Sequence, residues 1–407
     1  MGIDVPSSDP ARLVVVRAGA VDAADGLVPW VLVDAAGDQV VVASEFLRAM
    51  VANDFRASSI RSYALALLRW LRFLWAVDVR WDRVTANEVR DFVLWMRAAE
   101  PARPAMSRAR PGSTNLKTGK RYLDRRFAPA TINHNLAVVS AFYAFHLSMG
   151  AGPLVNPVPE RVHASQEVSA RRSPLQPRRH NRRAAYRQRV TKVGPRAMPD
   201  RLFDELFEAM TSHRDRAILA FYVSCGARPS ELLGLTRGCL DYGGQLIRVT
   251  RKGSQAVQWI PASPDAFVWL ALYQSDLPAE LVDGDTPVWW TLRRPLRRLD
   301  YDAMRAVLRR ANEKLQTNWS LHDLRHTFAI RMASDPKVPL VSLQVLLGHV
   351  HLASTQRYLV PHLEQVIAHA REHYRRPREA EARDAAVLGY DSADMAELFG
   401  WRGEAPR

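Results

Sequence analysis

The sequence predicts a mainly α-helical protein with two domains and a small β-sheet in the second. Apolar residues recur at helical spacing over residues 44–150, which favours a set of packed amphipathic helices. A stretch rich in Pro and Arg over residues 151–196 lacks this periodicity and marks a boundary. Beyond it, helical patterns alternate with a β-hairpin pattern over residues 245–261. A chain of 407 residues is long enough for each domain to bury its own core.

Residues 1–43 show a different pattern. They contain three short β-branched runs, at 13–16, 28–33 and 40–42, separated by Gly and Asp. This pattern is typical of short strands joined by turns, so we expect a small N-terminal β-arm. Nothing in these residues indicates a function for the arm.

Four amphipathic helices are predicted within residues 44–150. Their approximate ranges are 46–51, 59–77, 85–96 and 129–149. Thr85 and Glu88 stand three apart at the start of the third, as in a capping box. We expect the tryptophans of this region to lie in the core rather than on a base-stacking surface. They are Trp70, Trp75, Trp81 and Trp95.

Positive charge is concentrated in two segments. Residues 101–127 carry a net charge of +7 and residues 161–196 carry +10, against +15 for the whole chain. Such concentration is typical of a protein that binds a polyanion, with affinity that falls as salt rises. The alternative is that both are solvated linkers with incidental charge. We interpret 101–127 as an extended loop of the helical domain and 151–196 as an interdomain linker.

The composition argues against several other classes. Hydrophobic residues at 47% and charged residues at 24% are ordinary for a globular protein. No apolar run approaches the roughly 20 residues that span a bilayer, and no signal peptide is recognisable, so we expect a cytoplasmic protein without a membrane partner. Only Cys225 and Cys239 occur, without metal-ligand spacing, so we expect no structural zinc.

The C-terminal half contains a cluster of chemically active residues. In the segment SLHDLRHTF, His322 and Arg325 are three apart and therefore project from one face of a predicted helix. A second predicted helix ends at Gly348, His349 follows directly, and Tyr358 comes nine residues later. A cationic cluster that faces a tyrosine hydroxyl is what an enzyme attacking a phosphodiester needs.

Two further basic residues stand at predicted turns. Arg228 lies where one helix ends and another begins, a position from which it could equally pair with a surface carboxylate. Lys252 lies at the tip of the predicted hairpin and is one of six lysines among 57 basic residues. A lysine ammonium can be tuned to donate a proton, whereas an arginine cannot. The alternative is a turn lysine with no chemical role.

These residues resemble the signature of the tyrosine recombinases, the integrase-like family that cuts and rejoins DNA through a phosphotyrosine. The family's H-x-x-R, L-G-H and tyrosine pattern is matched over residues 322–358, and its G-x-R-x-S-E-L pattern over residues 226–232. Ala227 and Pro229 depart from the usual residues of the second pattern. The resemblance is sharp over 198–362, rests on pattern alone over 44–150, and is absent at 1–43 and 101–127.

The resemblance implies an N-terminal helical (SAM-like) core-binding domain and an α/β catalytic domain that close round duplex DNA as a C-shaped clamp. We therefore expect a catalytic domain at 197–375 and a C-terminal tail at 376–407. The implied catalytic set is Arg228, Lys252, His322, Arg325, His349 and Tyr358. His326 and His351 are interpreted as supporting or surface residues.

The chemistry suggests a role for each member of this set. Two arginines, Arg228 and Arg325, would bind the non-bridging oxygens of the phosphate, and His349 would donate a hydrogen bond to one of them. Tyr358 would attack as the covalent nucleophile. In addition, His322 would orient the phosphate or accept the tyrosine proton, and Lys252 would protonate the leaving 5′-oxygen. We expect no cofactor, metal ion or ATP.

The full interpretation is a site-specific recombinase of a mobile element. It would act as a homo-tetramer on two double-stranded DNA sites, through a Holliday junction, with accessory or directionality proteins as candidate partners. A short helix predicted at 394–401 would pass to a neighbouring subunit or dock on its own domain. Its apolar residues are Met395, Leu398, Phe399 and Trp401. The rivals are a type IB topoisomerase-like relaxing enzyme, a non-catalytic DNA-binding regulator and an RNA-binding protein.

Overall fold

The structure is a computed structural model that describes most of the chain. The described residues are 9–101, 109–163, 181–191, 194–251, 254–282, 285–349, 354–355, 358 and 371. Two compact units share the chain: unit 1 comprises Met1–Val193 with Ala306–Trp319, and unit 2 comprises Gly194–Arg305 with Ser320–Arg407. Each is considered by itself below. Among the described residues, no helix combines the length and apolar character that crossing a membrane requires.

Unit 1 is built on four helices, which confirms the helical pattern of its sequence. They are α1 (Val41–Ala52), α2 (Ala57–Ala76), α3 (Ala86–Ala98) and α4 (Pro129–Ser148). The capping box before α3 is confirmed, since the Thr85 backbone N–H donates to Glu88 Oε2 at 2.7 Å and Thr85 Oγ1 accepts from Asn87 at 3.2 Å. Helix α4 begins with proline, whose missing N–H needs no partner there.

Aromatic side chains fill the core of unit 1. Trp70 is fully buried and its indole N–H donates to the Tyr143 hydroxyl at 3.2 Å, which in turn donates to the Trp81 carbonyl at 3.0 Å. Trp81 and Trp95 are partly buried against this core, as expected. The expectation is wrong for Trp75, whose relative exposure is 39%. Its place on α2 turns the indole away from the centre of the unit.

The N-terminal arm is part of unit 1. Strands β1 (Ala20–Ala23) and β2 (Trp30–Val33) form an antiparallel pair. Leu32 of β2 is fully buried in the core of the helices, and the Arg72 guanidinium of α2 donates to the carbonyls of Ala18 and Gly19. The strands predicted at 13–16 and 40–42 are wrong, because residues 13–19 form no strand and α1 already begins at Val41. Burial of Ala43, Leu47 and Met50 along one face favours the helix over the β propensity of the valines.

The basic loop between α3 and α4 is held by polar contacts at its turn. Asn115 is buried and donates from Nδ2 to the Gln316 carbonyl at 3.0 Å. Lys117 Nζ donates to the Leu315 carbonyl at 2.8 Å, and Asn318 Nδ2 donates to the Lys120 carbonyl at 3.0 Å. The described part of the loop contains no helix, as predicted, and these bonds join it to the 315–318 segment within unit 1.

Part of the segment predicted as a linker packs on unit 1. Strands β3 (Glu160–His163) and β4 (Asn181–Ala184) pair antiparallel. The Asn133 side chain of α4 forms two bonds to the backbone of Gln188, accepting at 2.7 Å and donating at 3.0 Å. Asn156 donates to the Ser140 carbonyl at 2.9 Å. The described ends of the segment are therefore attached to α4, and its role as an interdomain linker stays a prediction.

Unit 2 combines helices with a small sheet, as predicted. Its helices are α5 (Asp200–Glu208), α6 (His213–Cys225), α7 (Pro229–Leu232), α8 (Pro264–Ser275), α10 (Leu321–Ser334) and α11 (Leu340–Leu347), while α9 (Tyr301–Leu315) begins here and ends in unit 1. Its strands are β5 (Leu240–Asp241), β6 (Leu246–Thr250) and β7 (Val257–Pro261), antiparallel in the order β5-β6-β7. Strands β6 and β7 confirm the predicted hairpin. Helix α6 packs between α8 and α10.

Candidate active site

The turn from α6 into α7 positions Arg228. Gly226 has a φ of +61°, and a Cβ added there would lie 2.1 Å from the Phe328 ring, so this turn requires glycine. Arg228 follows as the residue before the first turn of α7. Its backbone N–H donates to Glu231 Oε2 at 2.9 Å, and its Nη1 donates to Glu231 Oε1 at 2.7 Å. One carboxylate therefore fixes both the backbone and the guanidinium of Arg228.

Glu231 is a buried carboxylate between two arginines. Its side chain is 1% exposed, and Arg251 Nη1 donates to its Oε2 at 3.1 Å, the oxygen that also accepts from the Arg228 backbone. Burial by itself would raise the pKa of the Glu231 carboxyl, but hydrogen bonds from Arg228 and the charge of Arg251 outweigh burial and lower the pKa. Glu231 is therefore held as the anion. Sequence reasoning included it only in the G-x-R-x-S-E-L pattern over residues 226–232.

Arg251 connects the hairpin to the end of α11. It is 3% exposed, its Nε donates to Gln258 Oε1 at 2.9 Å, and its Nη2 donates to the Leu346 carbonyl at 2.6 Å. A Cβ at Gly348 would lie 2.6 Å from Arg251 Nε, so glycine is required for this close approach. The predicted catalytic residue Lys252 follows Arg251 directly and lies outside the described residues. Sequence reasoning missed Arg251, since one arginine in an arginine-rich chain carries no distinguishing signal.

Arg325 is the most deeply buried cation of the site. It is 2% exposed on α10, and it donates to the Gly226 carbonyl at 2.6 Å and to the Leu347 carbonyl at 2.7 Å. Burial, with the nearby charge of Arg228, lowers the pKa of the Arg325 guanidinium to about 10. It still remains charged at neutral pH. The contacts with α6 and α11 hold it beside Arg228, which donates to the Gly348 carbonyl at 3.4 Å.

His349 is held in one tautomer by its two partners. Its Nε2 lies 3.3 Å from Arg325 Nη2, and a guanidinium nitrogen can only donate, so Nε2 is the acceptor. The proton of the neutral imidazole is therefore on Nδ1, which lies 2.9 Å from Thr355 Oγ1. The predicted donation to a phosphate oxygen would need a proton on Nε2. That role therefore calls for a second proton or for a shift of Arg325 when DNA binds.

Tyr358 contacts two histidines, and a third packs against one of them. Tyr358 is 5% exposed, and its hydroxyl is 3.0 Å from Nδ1 of His326. Its ring is parallel to that of His349, with centroids 6.2 Å apart. His322 is exposed, and its ring packs edge-on against His326 with centroids 4.6 Å apart. The surface alternative for His326 is wrong, because the residue is buried and contacts the tyrosine hydroxyl, while its supporting role stays a prediction.

The signal for His326 was present in the sequence. His322, Arg325 and His326 stand at i, i+3 and i+4, so the same face of α10 carries all of them. The structure thus brings Arg228, Arg325, His349 and Tyr358 into one connected cluster, with His322 reaching it through His326. His351 and the predicted helix at 394–401 lie outside the described residues.

Other groups near the cluster are chemically inert. Burial raises the pKa of the Cys225 thiol to about 12, so this cysteine is not a nucleophile at neutral pH. Within the described ranges, no group of three or more His, Cys, Asp or Glu side chains is arranged to hold a metal ion. What the cluster offers is two guanidiniums, imidazoles and a phenol, which together suit attack on a phosphodiester.

The fold of this chain is similar to that of solved integrases. The Tn1549 transposon integrase in complex with a circular intermediate DNA has the same fold, with a TM-score of 0.54 and 13% identity over 82% of this chain and 99% of that one. A lambda integrase dimer bound to a COC′ core site gives a TM-score of 0.51 and 14% identity, over 78% of this chain and 76% of that one. At these identities the likeness concerns the fold.

The sequence comparisons match the C-terminal part of the chain to a family domain and the chain to tyrosine recombinases. Residues 199–364 match the phage integrase family model, so this part of the chain carries the domain of that family. Tyrosine recombinase XerC of Syntrophus aciditrophicus is 32% identical over 38% of this chain and 51% of its own length. Tyrosine recombinase XerD of Xanthomonas axonopodis pv. citri is 30% identical over 44% and 65%. The chain thus spans less than two thirds of these relatives. Tyrosine recombinase XerC of a Roseiflexus species is 26% identical over 75% of this chain and 84% of its own length.

Proposed function

We propose that this protein is a site-specific recombinase that cleaves and rejoins duplex DNA through a 3′-phosphotyrosine at Tyr358. The observation that carries the proposal is the connected cluster of Arg228, Arg325, His349 and Tyr358, at the end of α11, in a domain that matches the phage integrase family. A regulator without turnover would have no need of a phenol held beside two guanidiniums and two imidazoles.

The charges in the cluster suit the transition state of phosphodiester cleavage. Negative charge accumulates on two non-bridging oxygens as phosphorus becomes five-coordinate, and two guanidiniums can bind those oxygens without losing their own charge. Arg228 has 23% of its side chain exposed and Arg325 is 2% exposed, so Arg228 is the more accessible of the two to a phosphate. Lys252 would protonate the 5′-oxygen, His349 would bind a non-bridging oxygen once protonated, and His322 would orient the phosphate.

The charge distribution supports DNA binding by unit 1, which contains residues 101–127 and nearly all of 151–196. We place the core-binding domain at 44–150 and the catalytic domain at 197–375, with the tail at 376–407 as a candidate contact between subunits. The basic loop 101–127 presents exposed arginines at Arg110, Arg121 and Arg125 while its turn is fixed by Asn115. The segment 151–196 supplies the second concentration of positive charge. Both would contact phosphates and make binding salt-dependent.

The biological setting in this proposal is a mobile element, in the cytoplasm, with a homo-tetramer joining two sites through a Holliday junction. Two solved structures of similar fold support this setting, since one is a transposon integrase and the other is lambda integrase. Accessory or directionality proteins would act outside the catalytic cluster. A type IB topoisomerase-like relaxing enzyme is the second candidate, because the same cluster would serve it.

Covalent trapping tests the proposal. A randomised pool of nicked duplexes is incubated with the full-length protein, and DNA that stays attached in denaturant is amplified and selected again. The proposal predicts an adduct that forms in the presence of EDTA, is lost in Tyr358→Phe, and converges on one sequence. An adduct without sequence convergence, together with relaxation of a supercoiled plasmid, would favour the topoisomerase. Specific binding with no adduct would favour the regulator.

A further inference from the structure

We propose that His326 accepts the proton of Tyr358 when the tyrosine attacks, a role that sequence reasoning left to His322. This inference rests on the proposed function and assigns one further residue of the same site. Nδ1 of His326 is 3.0 Å from the Tyr358 hydroxyl, which is within the range for direct proton transfer. The phenol, with an ordinary pKa of about 10, is a far stronger acid than an imidazole N–H, so the shared proton belongs on the tyrosine and Nδ1 accepts.

Burial and contacts with neighbouring rings hold His326 in place. It is 8% exposed on α10, directly after Arg325 and one turn beyond His322. The His322 ring packs edge-on against it, with centroids 4.6 Å apart, and the Tyr358 ring lies 5.6 Å away. Asp323, also on α10, accepts hydrogen bonds from the backbone and hydroxyl of Ser320. A rigid, desolvated imidazole with one nitrogen aimed at a phenol is the arrangement that a general base requires.

The step balances without a further reactant. A lone pair of Tyr358 Oη forms the bond to phosphorus, and the P–O5′ pair leaves on the 5′-oxygen. The phenol proton moves to His326 Nδ1, and the 5′-oxygen takes its proton from the general acid, which the proposed function assigns to Lys252. In religation the same groups act in reverse, with the His326 imidazolium returning its proton to Tyr358. The exposed His322 can then exchange protons between this buried pair and solvent.

The first experiment separates proton transfer from positioning. Single-turnover cleavage of the duplex selected by covalent trapping is measured for the wild type, His326→Asn, His326→Gln and His322→Gln. Asn can keep an oxygen acceptor near the Nδ1 position but cannot take a proton. The expected loss in His326→Asn is about 100-fold or more near neutral pH. Its rate should rise about tenfold per pH unit toward the ionisation of the phenol itself, near pH 10, while the wild type levels off earlier.

The second experiment separates the base from the acid. A duplex with a 5′-bridging phosphorothiolate at the cleavage site has a sulfur leaving group that needs no proton. On this substrate the defect of Lys252→Ala should largely disappear, whereas the defect of His326→Asn should remain. Binding of the same duplex is measured for both variants, because unchanged affinity shows that a difference in rate arises in the chemical step. His213→Gln, which removes an exposed histidine paired with Asp276 far from this cluster in sequence, serves as the control and should cleave at the wild-type rate.

Each result decides the assignment. Cleavage by His326→Asn within about threefold of wild type would show a positioning hydrogen bond and overturn the proposal. So would a defect that the sulfur leaving group removes, or a larger pH-reversible defect in His322→Gln. If His326→Asn does not fold, as judged by its thermal melt, His326→Gln takes its place in the same comparison. Failure of the wild type to form any adduct would instead refute the proposed function itself.

Discussion

Removal of the Glu231 carboxylate should damage the site more than the loss of any surface charge. Glu231 accepts three hydrogen bonds, two from Arg228 and one from Arg251, and it is nearly inaccessible to solvent. Glu231→Ala would leave the 3%-exposed Arg251 guanidinium beside Arg228 without the intervening negative charge. Loss of one partner of a buried ion pair typically destabilises a protein by about 3–5 kcal/mol. Glu231→Gln keeps the shape and some acceptors, so about 1–3 kcal/mol is expected.

Hydrogen exchange measures this loss in the part of the chain where it arises. Backbone amides of α6, α7 and β6 should exchange faster in both variants, while those of α2 in unit 1 serve as an internal reference. Glu205→Gln is the matched control, because Glu205 forms a solvent-accessible ion pair with Arg201, one helical turn away on the same helix. Such a pair contributes about 0.5 kcal/mol or less. Equal protection of α7 in Glu231→Gln and the wild type would refute the argument that this carboxylate holds the two arginines.

The same carboxylate predicts an acid dependence of stability. The pKa of Glu231 is lower in the folded protein than the roughly 4.3 of an unfolded glutamate. Its contribution is therefore complete above about pH 4.3 and is lost as the pH falls through the lowered folded value. Denaturation midpoints of the wild type should fall on acidification, and the difference between the wild type and Glu231→Gln should narrow. A difference that stayed constant down to the acid transition would contradict this assignment.

Three further predictions follow from other contacts. Gly226→Ala should destabilise unit 2 by more than about 2 kcal/mol in a urea titration, since it adds a clash with Phe328 to the strain of a positive φ. Gly37 also has a positive φ but has open space around it, so Gly37→Ala should show the strain alone in the same titration. Tyr143→Phe removes the hydroxyl that accepts from the Trp70 indole and should destabilise unit 1 by about 1–3 kcal/mol. Tyr242→Phe is the control and should have little effect, because the hydroxyl that it removes is exposed and bonded to Gln274. Replacing Arg110, Arg121 and Arg125 by Gln should lower the slope of log Kd against log salt by about one unit for each phosphate that the loop no longer neutralises. An unchanged slope, or an equal change in an Arg201→Gln control, would exclude the loop from DNA binding.

The elements that periodicity and caps determine locally were predictable. Helices α2 and α4 and the box at Thr85 follow from spacing and capping chemistry that act over a few residues. The strand predicted at 40–42 failed because burial of the following face, and not the propensity of the valines, decides the conformation of α1. The pairing of β3 with β4 was not visible either, since neither strand carries an alternating apolar pattern.

Part of the candidate site was singled out by the tyrosine-recombinase patterns that the sequence resembles. Arg228, Arg325, His349 and Tyr358 match those patterns and lie in one cluster, and their catalytic roles stay predictions. The supporting contacts could not be predicted, since they depend on packing between elements distant in sequence. Arg251 donates to the carbonyl of Leu346, which is 95 residues further along the chain. Only the structure shows that the tyrosine hydroxyl lies against His326.

Mass spectrometry of the trapped complex tests the central claim most directly. The adduct on the selected duplex is digested with nuclease and protease, and the peptide that retains a nucleotide is sequenced. The account predicts a single modified peptide in which Tyr358 carries a 3′-linked phosphodiester. A nucleotide attached through a 5′-phosphate, attachment to another residue, or an adduct that persists in Tyr358→Phe would contradict it.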